Sequence, residues 1–319
     1  MKKLLIVNLS QYGYHIDTYY YCKILNKDFK ITYLCWDYKK PRISTPNVNV
    51  IYCKRDGNKI IRYIRMLIKF RKHITNNSYD ILFIKYFRLC SVLVWTAKSR
   101  NIVLDIRTGA ISFNMLSRFI YKLCISFDKL FFKKITIISE SLRKALKIDK
   151  STAHILPIGS VVFSHSSKVF DKLNLLYVGT LSQRKIDETV TGVHKFLKAN
   201  TTELVYNIIG DGIQEDLDRL LNTINNLGLQ KHVHYLGRIS HDNIVPYFEN
   251  SNLGVVYIPI TEQYDNQPPT KLYEYLLSGM PVVATSTYEN RKIVNESNGV
   301  IITDNSDSFA EGLKEFQNN

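Results

Sequence analysis

The chain has 319 residues, of which 43 are lysine or arginine and 28 are aspartate or glutamate, so its formal net charge is +15. Apolar residues make up 45% of the sequence, which is enough for a core and excludes a disordered or low-complexity chain. The length favours two domains. No apolar run reaches the roughly 18 residues of a membrane-spanning helix. We expect no secretory signal, because the first apolar stretch is short and is interrupted by Asn8 and Ser10.

The charge is divided unevenly along the sequence. Residues 1–172 carry 32 basic and 10 acidic side chains, a balance of +22. Residues 173–319 carry 11 basic and 18 acidic side chains, a balance of −7. This asymmetry predicts two units with different partners, of which the first binds something anionic.

Short apolar runs, often β-branched, alternate with longer helical patterns through the first half. Such alternation is typical of α/β domains with parallel sheets. The runs predict strands at 4–9, 31–34, 48–52, 81–84, 102–104, 135–138 and 154–156. The patterns between them predict helices near 16–27, 59–75, 87–98, 114–132 and 140–147.

The second half continues this alternation. Strands are predicted at 173–178, 204–209, 232–236, 253–257, 281–284 and 300–302, and helices near 185–198, 213–226, 241–249, 270–278 and 306–316. The polar stretch 159–172 has no clear periodicity, so we interpret it as a linker and place the domains at 1–165 and 166–319. The predicted fold class is α/β, with two doubly wound, Rossmann-like domains facing a cleft. In such domains ligands bind outside the carboxyl ends of the strands.

The most informative segment begins where the first strand of the second half ends. Gly179 follows that strand, and the adjacent cations Arg184 and Lys185 precede the next predicted helix. A glycine lets the backbone approach a ligand, and cations near a helix start neutralise phosphate charge. This pattern predicts a phosphate-binding turn.

Three later segments add to this prediction. Gly210 and Asp211 form a glycine-rich turn after a strand, and Arg238 follows the next strand in the same way. The third segment predicts a helix that is entered by proline and left at glycine, with Lys271 and Glu274 spaced i, i+3 on one face. A carboxylate in this position can accept both hydrogen bonds of a ribose diol, and the helix N-terminus can face a diphosphate.

Through the order and spacing of these motifs, residues 173–303 resemble the donor-binding domain of family-4 glycosyltransferases. The first half is similar more loosely, through Gly13 and the strand end at 103–107. The resemblance implies the two-domain B-type glycosyltransferase fold. It also implies transfer of a sugar from a nucleotide-sugar, UDP- or GDP-linked, with retention of anomeric configuration and with neither a bound metal nor another cofactor.

The resemblance further implies roles for individual residues. The donor diphosphate would be bound by residues at glycine turns and helix starts, namely Gly13, Arg184, Lys185, Thr270 and Lys271. Glu274 would bind the ribose hydroxyls. The base would lie beside Gly210, Arg238 and Ile239.

The sequence departs from the family pattern in the donor domain at two positions. The family often has an arginine directly after the first glycine, where this chain has Thr180, so Arg184 would take over that role. The family also commonly has a glutamate eight residues before the ribose-binding one, where this chain has Asn266. We therefore expect the donor sugar to be bound by the trio Asp265, Asn266 and Gln267.

A further departure concerns the catalytic group. The family often has a histidine at the end of a strand in the first domain, and Arg107 stands there in this chain. Arg107 and Asp105 are therefore the candidates for the catalytic residues. The acidic sequence Asp216-Leu217-Asp218 resembles a metal-binding DxD, but it falls within a predicted helix, so we expect a solvated acidic face and no metal.

Two stretches of the basic half, 60–72 and 115–134, mix apolar and cationic side chains at helical spacing. Most such stretches pack against a core, but they also fit helices that lie on anionic lipid. We expect a peripheral protein on the inner face of the cytoplasmic membrane, acting on a glycan or polyprenyl-diphosphate-linked acceptor. The five scattered cysteines, which include no CxxC pair, favour this reducing compartment. A nucleic acid partner is not expected, because no recognition module is present.

Two alternatives keep the fold but change the activity. One is a sugar-nucleotide epimerase, and the other is an inactive subunit that only binds a sugar-nucleotide, because a fold alone does not determine function.

Overall fold

A computed structural model describes residues 1–97, 101–110, 114–240 and 243–318. The chain forms two compact units, Met1–Pro157 and Ile158–Asn319, called here the first and the second unit. The second unit therefore includes residues 158–165, which the sequence pattern assigns to the first domain.

The first unit is built on a sheet of seven parallel strands. They are β1 (Lys2–Val7), β2 (Phe29–Asp37), β3 (Val48–Lys54), β4 (Ile81–Lys85), β5 (Ile102–Ile106), β6 (Lys134–Ile137) and β7 (Ala153–Ile155). Their order in the sheet is β3-β2-β1-β4-β5-β6-β7, and every neighbouring pair is parallel. The order reverses between β1 and β4, which is the place where doubly wound sheets bind ligands.

The helices of this unit are α1 (Ile16–Leu25), α2 (Lys59–Asn76), α3 (Met115–Asp128) and α4 (Glu140–Ala145), with short 3-10 helices at Cys90–Thr96 and Lys129–Phe131. Polar N-caps begin the last three α-helices, because the side chains of Asn58, Asn114 and Ser139 accept backbone N–H groups of the first turn.

The helix predicted at 87–98 is wrong in type, since residues 90–96 form a 3-10 helix. The buried carboxylate of Asp128 accepts the N–H groups of Leu89 and Ser91, at 2.9 and 3.2 Å, and thereby holds the start of this segment. Leu89 has a left-handed backbone with φ of 59°. A tertiary contact therefore overrides the apolar pattern of the segment.

The second unit repeats the architecture with six strands: β8 (Leu173–Val178), β9 (Leu204–Ile209), β10 (Val233–Tyr235), β11 (Leu253–Val256), β12 (Val282–Thr285) and β13 (Gly299–Ile302). The order is β10-β9-β8-β11-β12-β13, again with parallel pairs only. The reversal lies between β8 and β11. Each predicted strand of both halves is present, so the doubly wound α/β class is confirmed for each unit.

The helices of the second unit are α5 (Ile186–Ala199), α6 (Gln214–Asn226), α7 (Val245–Asn250), α8 (Glu262–Asp265), α9 (Thr270–Leu277), α10 (Tyr288–Arg291) and α11 (Ser306–Asn318). Helices α8 and α10 are not predicted from the sequence, because each is only four residues long. Apolar clusters cover both faces of the sheet, one around Tyr206 and Phe309 and the other around Phe248 and Tyr275. Within the described residues, no helix has the length and apolar character to cross a bilayer.

Candidate active site

The carboxyl ends of three strands of the second unit meet at glycines. The N–H of Gly179, after β8, donates to the carbonyl of Ile209, and the N–H of Gly210, after β9, donates to that of Gly237, at 3.0 and 2.9 Å. A Cβ atom on Gly210 would lie 1.8 Å from the carbonyl oxygen of Gly179. Position 210 therefore cannot carry a side chain without moving the strand ends apart.

Helix α6 holds the loop between β8 and α5 in place. The carboxylate of Asp216 accepts the N–H of Gln183 at 2.7 Å, and the hydroxyl of Ser182 accepts the N–H of Ile213 at 3.0 Å. Asp216 also forms an ion pair with Arg219 and is only 8% exposed. The predicted solvated acidic face is therefore wrong for Asp216, because this carboxylate is an anchor for the loop.

Helix α9 is fixed to the end of β8 by Tyr275. The hydroxyl of Tyr275 accepts the N–H of Val178 at 2.8 Å. The ring needs the space left by Gly254 in β11, where a Cβ atom would lie 2.4 Å from Cδ2 of Tyr275. No side chain caps the start of α9 at Pro269. The N-terminal turn of α9 is thus held beside the loop that begins at Gly179.

Two cations and two tyrosine rings form a cluster at this point. The Nζ atom of Lys271 lies 3.5 Å from the ring centroid of Tyr177, and the guanidinium carbon of Arg184 lies 4.0 Å from that of Tyr264. A Cβ atom on Gly179 would approach the Nζ atom of Lys271 to 2.9 Å. We call Arg184 and Lys271 the cation pair.

The cation pair has little internal compensation for its charge. Burial lowers the pKa of Lys271 well below its usual value, the nearby Arg184 lowers it further, and Glu274 raises it. The Nη1 atom of Arg184 is buried and has no hydrogen-bond partner in the described part of the chain. Buried donors and cations normally have acceptors. The pair is therefore suited to an anionic ligand with several oxygen atoms, such as a diphosphate.

The other predicted phosphate ligands of this unit lie at the two helix starts. Lys185 directly precedes α5 with a left-handed backbone, φ of 52°, and its side chain is exposed. Thr270 is the first residue of α9 and is partly buried. The structure thus brings Arg184 and Lys271 together, with Glu274 near them, while Lys185 stands outside the cation pair.

The residues predicted to surround the base lie in the loops after β9 and β10. Arg238 forms an exposed ion pair with Asp211, with Nη1 and Oδ2 3.2 Å apart. The hydroxyl of Tyr235 donates to the carbonyl of Gly210 at 3.2 Å, and Ile239 packs against the core cluster around Phe248. The roles of Gly210, Arg238 and Ile239 toward a base stay predictions.

The trio predicted to bind the donor sugar follows the ring on which Arg184 stacks. Asp265 ends α8 and its carboxylate accepts the N–H of Tyr288 at 2.6 Å, which anchors α10. Asn266 and Gln267 come next and, like Asp265, are partly buried. The trio is thus close in sequence to Tyr264 of the cluster, and its role in sugar binding stays a prediction.

In the first unit, Asp105 and Arg107 belong to one buried network. The carboxylate of Asp105 has no exposed surface and accepts from Thr136 Oγ1 at 2.8 Å and from Arg107 Nε at 3.1 Å. Arg107 also donates to the carbonyl of Leu156 at 2.7 Å and lies 3.6 Å from Asp17. Asp105 therefore positions Arg107 rather than facing a ligand itself.

Three residues of this network were missed by the sequence analysis. Lys85 ends β4 and is the register partner of Asp105, and His15 and Asp17 stand at the start of α1. Burial lowers the pKa of Lys85 to about 8 and raises that of Asp105 to about 7. Burial, followed by the charges of Lys85 and Arg107, lowers the pKa of His15 well below its usual value. The pairing of β4 with β5 places Lys85 opposite Asp105, so a prediction of this pairing would have identified Lys85.

Packing inside the first unit explains why a glycine occupies position 13. Its φ is +85°, and a Cβ atom there would lie 2.3 Å from Cδ1 of Ile43. The predicted role of Gly13 toward a diphosphate stays a prediction.

Metal ligands and cysteines form no cluster in the described ranges. Those ranges contain no group of three His, Cys, Asp or Glu side chains that could hold a metal ion. All five cysteines are free thiols, and four of them are buried.

Comparison with known proteins agrees with this architecture. Residues 163–319 match the family described as Glycosyl transferases group 1. No curated protein sequence matches the chain. The fold is similar to that of HepE from Anabaena, solved with UDP-glucose, with a TM-score of 0.76, 14% identity, and coverage of 99% of this chain and 89% of that one.

Two further solved structures are similar over the whole chain. A mutant of S. aureus TarM, solved with fondaparinux, alpha-GlcNAc-glycerol and UDP, has a TM-score of 0.75 at 10% identity, covering 100% of this chain and 93% of that one. Sucrose-phosphate synthase from Thermosynechococcus elongatus has a TM-score of 0.72 at 12% identity, covering 100% and 90%. Nearly all of the second unit therefore matches a group 1 glycosyl transferase domain, and the chain has the B-type glycosyltransferase fold.

Proposed function

We propose that this protein transfers a sugar from a UDP- or GDP-linked donor to a lipid-linked or cell-surface glycan acceptor, with retention of anomeric configuration. The observation that carries the proposal is the cation pair, Arg184 and Lys271, beside Gly179 and the uncapped start of α9. The pair lies at the carboxyl end of β8, where the strand order reverses. That is where doubly wound domains hold nucleotides.

The cation pair has a chemical task in such a transfer. When the bond between the anomeric carbon and the diphosphate breaks, negative charge grows on the leaving oxygen. Fixed cations and helix N–H groups at that point stabilise the transition state more than the ground state. Lys271 and Arg184 are held on tyrosine rings before the donor arrives, so little reorganisation is needed.

The same charges support a metal-independent reaction. A divalent cation usually serves to neutralise a departing diphosphate. The two side-chain cations, whose charge Glu274 offsets only in part, would supply that neutralisation from the protein itself. We therefore expect a chelator to leave the transfer rate unchanged.

The rest of the donor would extend from this point. Glu274 lies one helical turn from Lys271 on α9, in a position to accept hydrogen bonds from the ribose diol. The trio Asp265, Asn266 and Gln267 would contact the sugar, and Arg238 and Ile239 the base. UDP is the favoured nucleotide, because the similar structures of HepE and TarM contain UDP.

The first unit supports an acceptor at a membrane surface. Helices α2 and α3 are linked by Arg88, whose carbonyl accepts from Tyr63 and whose guanidinium donates to Ser117 at 3.4 Å. These helices and the segments beside them expose large apolar side chains, namely Ile60, Ile61, Ile64, Ile68, Trp95, Met115, Leu116, Phe119, Leu123, Phe127 and Leu130. We call this set the apolar–basic surface, because lysines and arginines of the same helices lie among these side chains.

An exposed apolar area of this size is typical of a docking surface, and the surrounding cations favour anionic lipid. We therefore propose peripheral association with the inner face of the cytoplasmic membrane.

Product analysis tests the activity. The protein is incubated with a panel of nucleotide-sugars, with and without a lipid extract as acceptor source, and nucleoside diphosphate and glycan products are measured. A transferase releases nucleoside diphosphate only together with a glycosylated product, whose anomeric configuration NMR then compares with that of the donor. The Lys271→Met variant is the control for contaminating activity.

The two alternatives give different results in the same experiment. An epimerase converts the sugar-nucleotide without an acceptor. An inactive binding subunit protects the donor without forming any product. Either result, or an inverted product, would contradict the proposal.

A further inference from the structure

A second cationic cluster lies in the first unit, away from the network around Arg107. The guanidinium carbon of Arg55, which follows β3, lies 4.7 Å from the ring centroid of Trp36 and 4.0 Å from that of Tyr38. The guanidinium carbon of Arg62, in α2, lies 5.6 Å from the same Trp36 ring. The ring of Tyr63 meets Trp36 edge-on at 6.2 Å. Two arginines thus share one tryptophan.

This cluster holds three buried N–H donors without acceptors. They are Nε1 of Trp36, Nε of Arg55 and Nε of Arg62, and no residue of the described ranges accepts a hydrogen bond from them. Trp36 is only 7% exposed. Buried donors of this kind are almost always paired in folded proteins. Their concentration around one ring indicates a ligand that brings acceptor oxygens.

Among the described residues, no carboxylate forms an ion pair with either arginine. Neither Arg55 nor Arg62 forms a salt bridge within the described part of the chain, while Asp37 next to Trp36 pairs with Arg42 at 3.6 Å. Stacking on an aromatic ring stabilises a guanidinium through its face and leaves the N–H groups at its edge unpaired. The aromatic contacts therefore explain the position of the arginines but not their free donors.

The cluster also lies where this sheet can receive a ligand. Trp36 and Asp37 end β2 beside the end of β3, with Trp36 opposite Cys53 in the register. Carboxyl ends of parallel strands are the ligand edge of a doubly wound sheet. Helix α2 begins here at Lys59 with no acidic residue in its first turn, so its positive end adds to the charge of the arginines.

We infer that Trp36, Arg55 and Arg62 bind a phosphate or diphosphate group of the acceptor. In naming the acceptor as the ligand, this inference rests on the proposed function. The two guanidinium groups would bind the anionic oxygens, and the indole N–H would donate one further hydrogen bond. The same two turns of α2 expose Ile61 and Ile64, at 57% and 51%, which gives the anion site an apolar neighbour for a lipid chain.

Tryptophan fluorescence tests this inference, because the chain has two tryptophans, Trp36 and the exposed Trp95, both in the first unit. A Trp95→Phe background leaves Trp36 as the single reporter. The full-length protein is titrated with inorganic phosphate, pyrophosphate and farnesyl diphosphate. Pyrophosphate that binds the cation pair of the second unit gives no direct signal, since that unit has no tryptophan.

We expect a saturable change in Trp36 fluorescence, with pyrophosphate binding more tightly than phosphate. Arg55→Gln and Arg62→Gln, each in the same background, should weaken binding about tenfold or more, because a charged hydrogen bond is lost. Arg71→Gln is the matched control, as Arg71 is an exposed arginine later in the same helix. Circular dichroism checks that each variant is folded.

The arms of the titration distinguish the source of the anion. Tighter binding of farnesyl diphosphate than of pyrophosphate supports a lipid-linked acceptor. Equal binding of the two probes would support a soluble phosphorylated acceptor. Either result supports the anion site at Trp36, Arg55 and Arg62. No saturable change with any probe, or an equal loss in Arg71→Gln, would overturn the inference. Fluorescence measures binding without turnover. The anion site can therefore be confirmed even if the protein transfers no sugar, and transfer can be confirmed even if the anion site is absent.

Discussion

Lys271 and Arg184 lie in one cluster, where burial and then the charge of Arg184 lower the pKa of Lys271, and Glu274 offsets part of this change. Each cation rests on a tyrosine ring, and neither forms a salt bridge in the described ranges. Such an arrangement costs stability in the free protein and is relieved when an anion binds.

Donor binding should therefore be coupled to proton uptake at Lys271. The lowered pKa favours the neutral form of Lys271 in the free protein, and a bound diphosphate favours the ammonium form. Affinity for a nucleotide-sugar should then fall as the pH rises through the pKa of the free protein. Calorimetry at pH 8 in buffers of different ionisation enthalpy measures the uptake.

The Lys271→Arg variant is the control for this coupling. It keeps a positive charge that does not titrate near pH 8. Equal proton uptake by the variant and the natural protein would assign the coupling to another group.

Asp216 should contribute to stability and to donor binding, because it anchors the loop between β8 and α5. Asp216→Ala removes the acceptor of the Gln183 N–H and the partner of Arg219, which should lower the free energy of unfolding by about 1–3 kcal/mol. The loosened loop should also weaken nucleotide-sugar binding. Urea denaturation and calorimetry measure the two effects.

Asp218→Ala is the matched control, because Asp218 is exposed on the same helix and accepts a hydrogen bond from the exposed side chain of Gln214. Similar losses in both variants would contradict the anchoring role of Asp216.

Asp105 should contribute a loss of stability to the first unit as the pH rises through neutrality, against an opposite contribution from His15, whose pKa is lowered. Burial raises the pKa of Asp105 to about 7. A carboxyl with a raised pKa stabilises the folded state at acidic pH, and this contribution is lost as the pH passes its folded pKa. One pKa unit corresponds to about 1.4 kcal/mol, so Asp105→Asn should remove at least about that much of the difference between pH 5 and pH 8.

Urea unfolding followed by tryptophan fluorescence reports on this unit, since both tryptophans belong to it. Asp28→Asn, at an exposed position, serves as the control. An unchanged pH dependence in Asp105→Asn would show that other groups cause it.

The apolar–basic surface should bind anionic vesicles. The protein should sediment with vesicles that contain acidic phospholipid and stay in solution with neutral ones. Binding should weaken between about 0.05 and 0.5 M salt, because the Debye length shrinks from roughly 14 to 4 Å. Exchanging Ile64, Ile68 and Phe119 for serine, or reversing the charges of Arg65 and Lys69, should release the protein.

Donor affinity should be unchanged in these variants, since the substituted residues belong to the other unit. Equal binding to neutral and acidic vesicles would contradict a contribution of the cations to membrane binding. No binding to either kind of vesicle would contradict membrane association.

The strands and the glycine turn after β8 could be predicted because they depend on local sequence patterns. Apolar runs of β-branched residues and glycine after each strand are readable without tertiary contacts. The long helices of the second unit begin and end within about two residues of the predicted limits. The same logic fails for short elements such as α8 and α10, which have too few residues to show a period.

The partners of the site residues could not be predicted, because they come from other elements. Nothing local shows that Tyr264 receives Arg184 or that Asp216 turns inward to hold Gln183. Likewise Asp105 looked like a catalytic candidate, whereas its complete burial and its bond to Thr136 depend on strand pairing.

The donor affinity of three variants tests most directly whether Arg184 and Lys271 bind the donor diphosphate. Calorimetry with UDP-glucose, UDP-GlcNAc, UDP-galactose and GDP-mannose first identifies the donor that binds the natural protein. Lys271→Met and Arg184→Gln should then each weaken its binding about tenfold or more, because each removes a charged contact to the diphosphate. Lys314→Met, at an exposed position of α11, should bind as the natural protein does. Undiminished affinity in both site variants would contradict a diphosphate site at the cation pair.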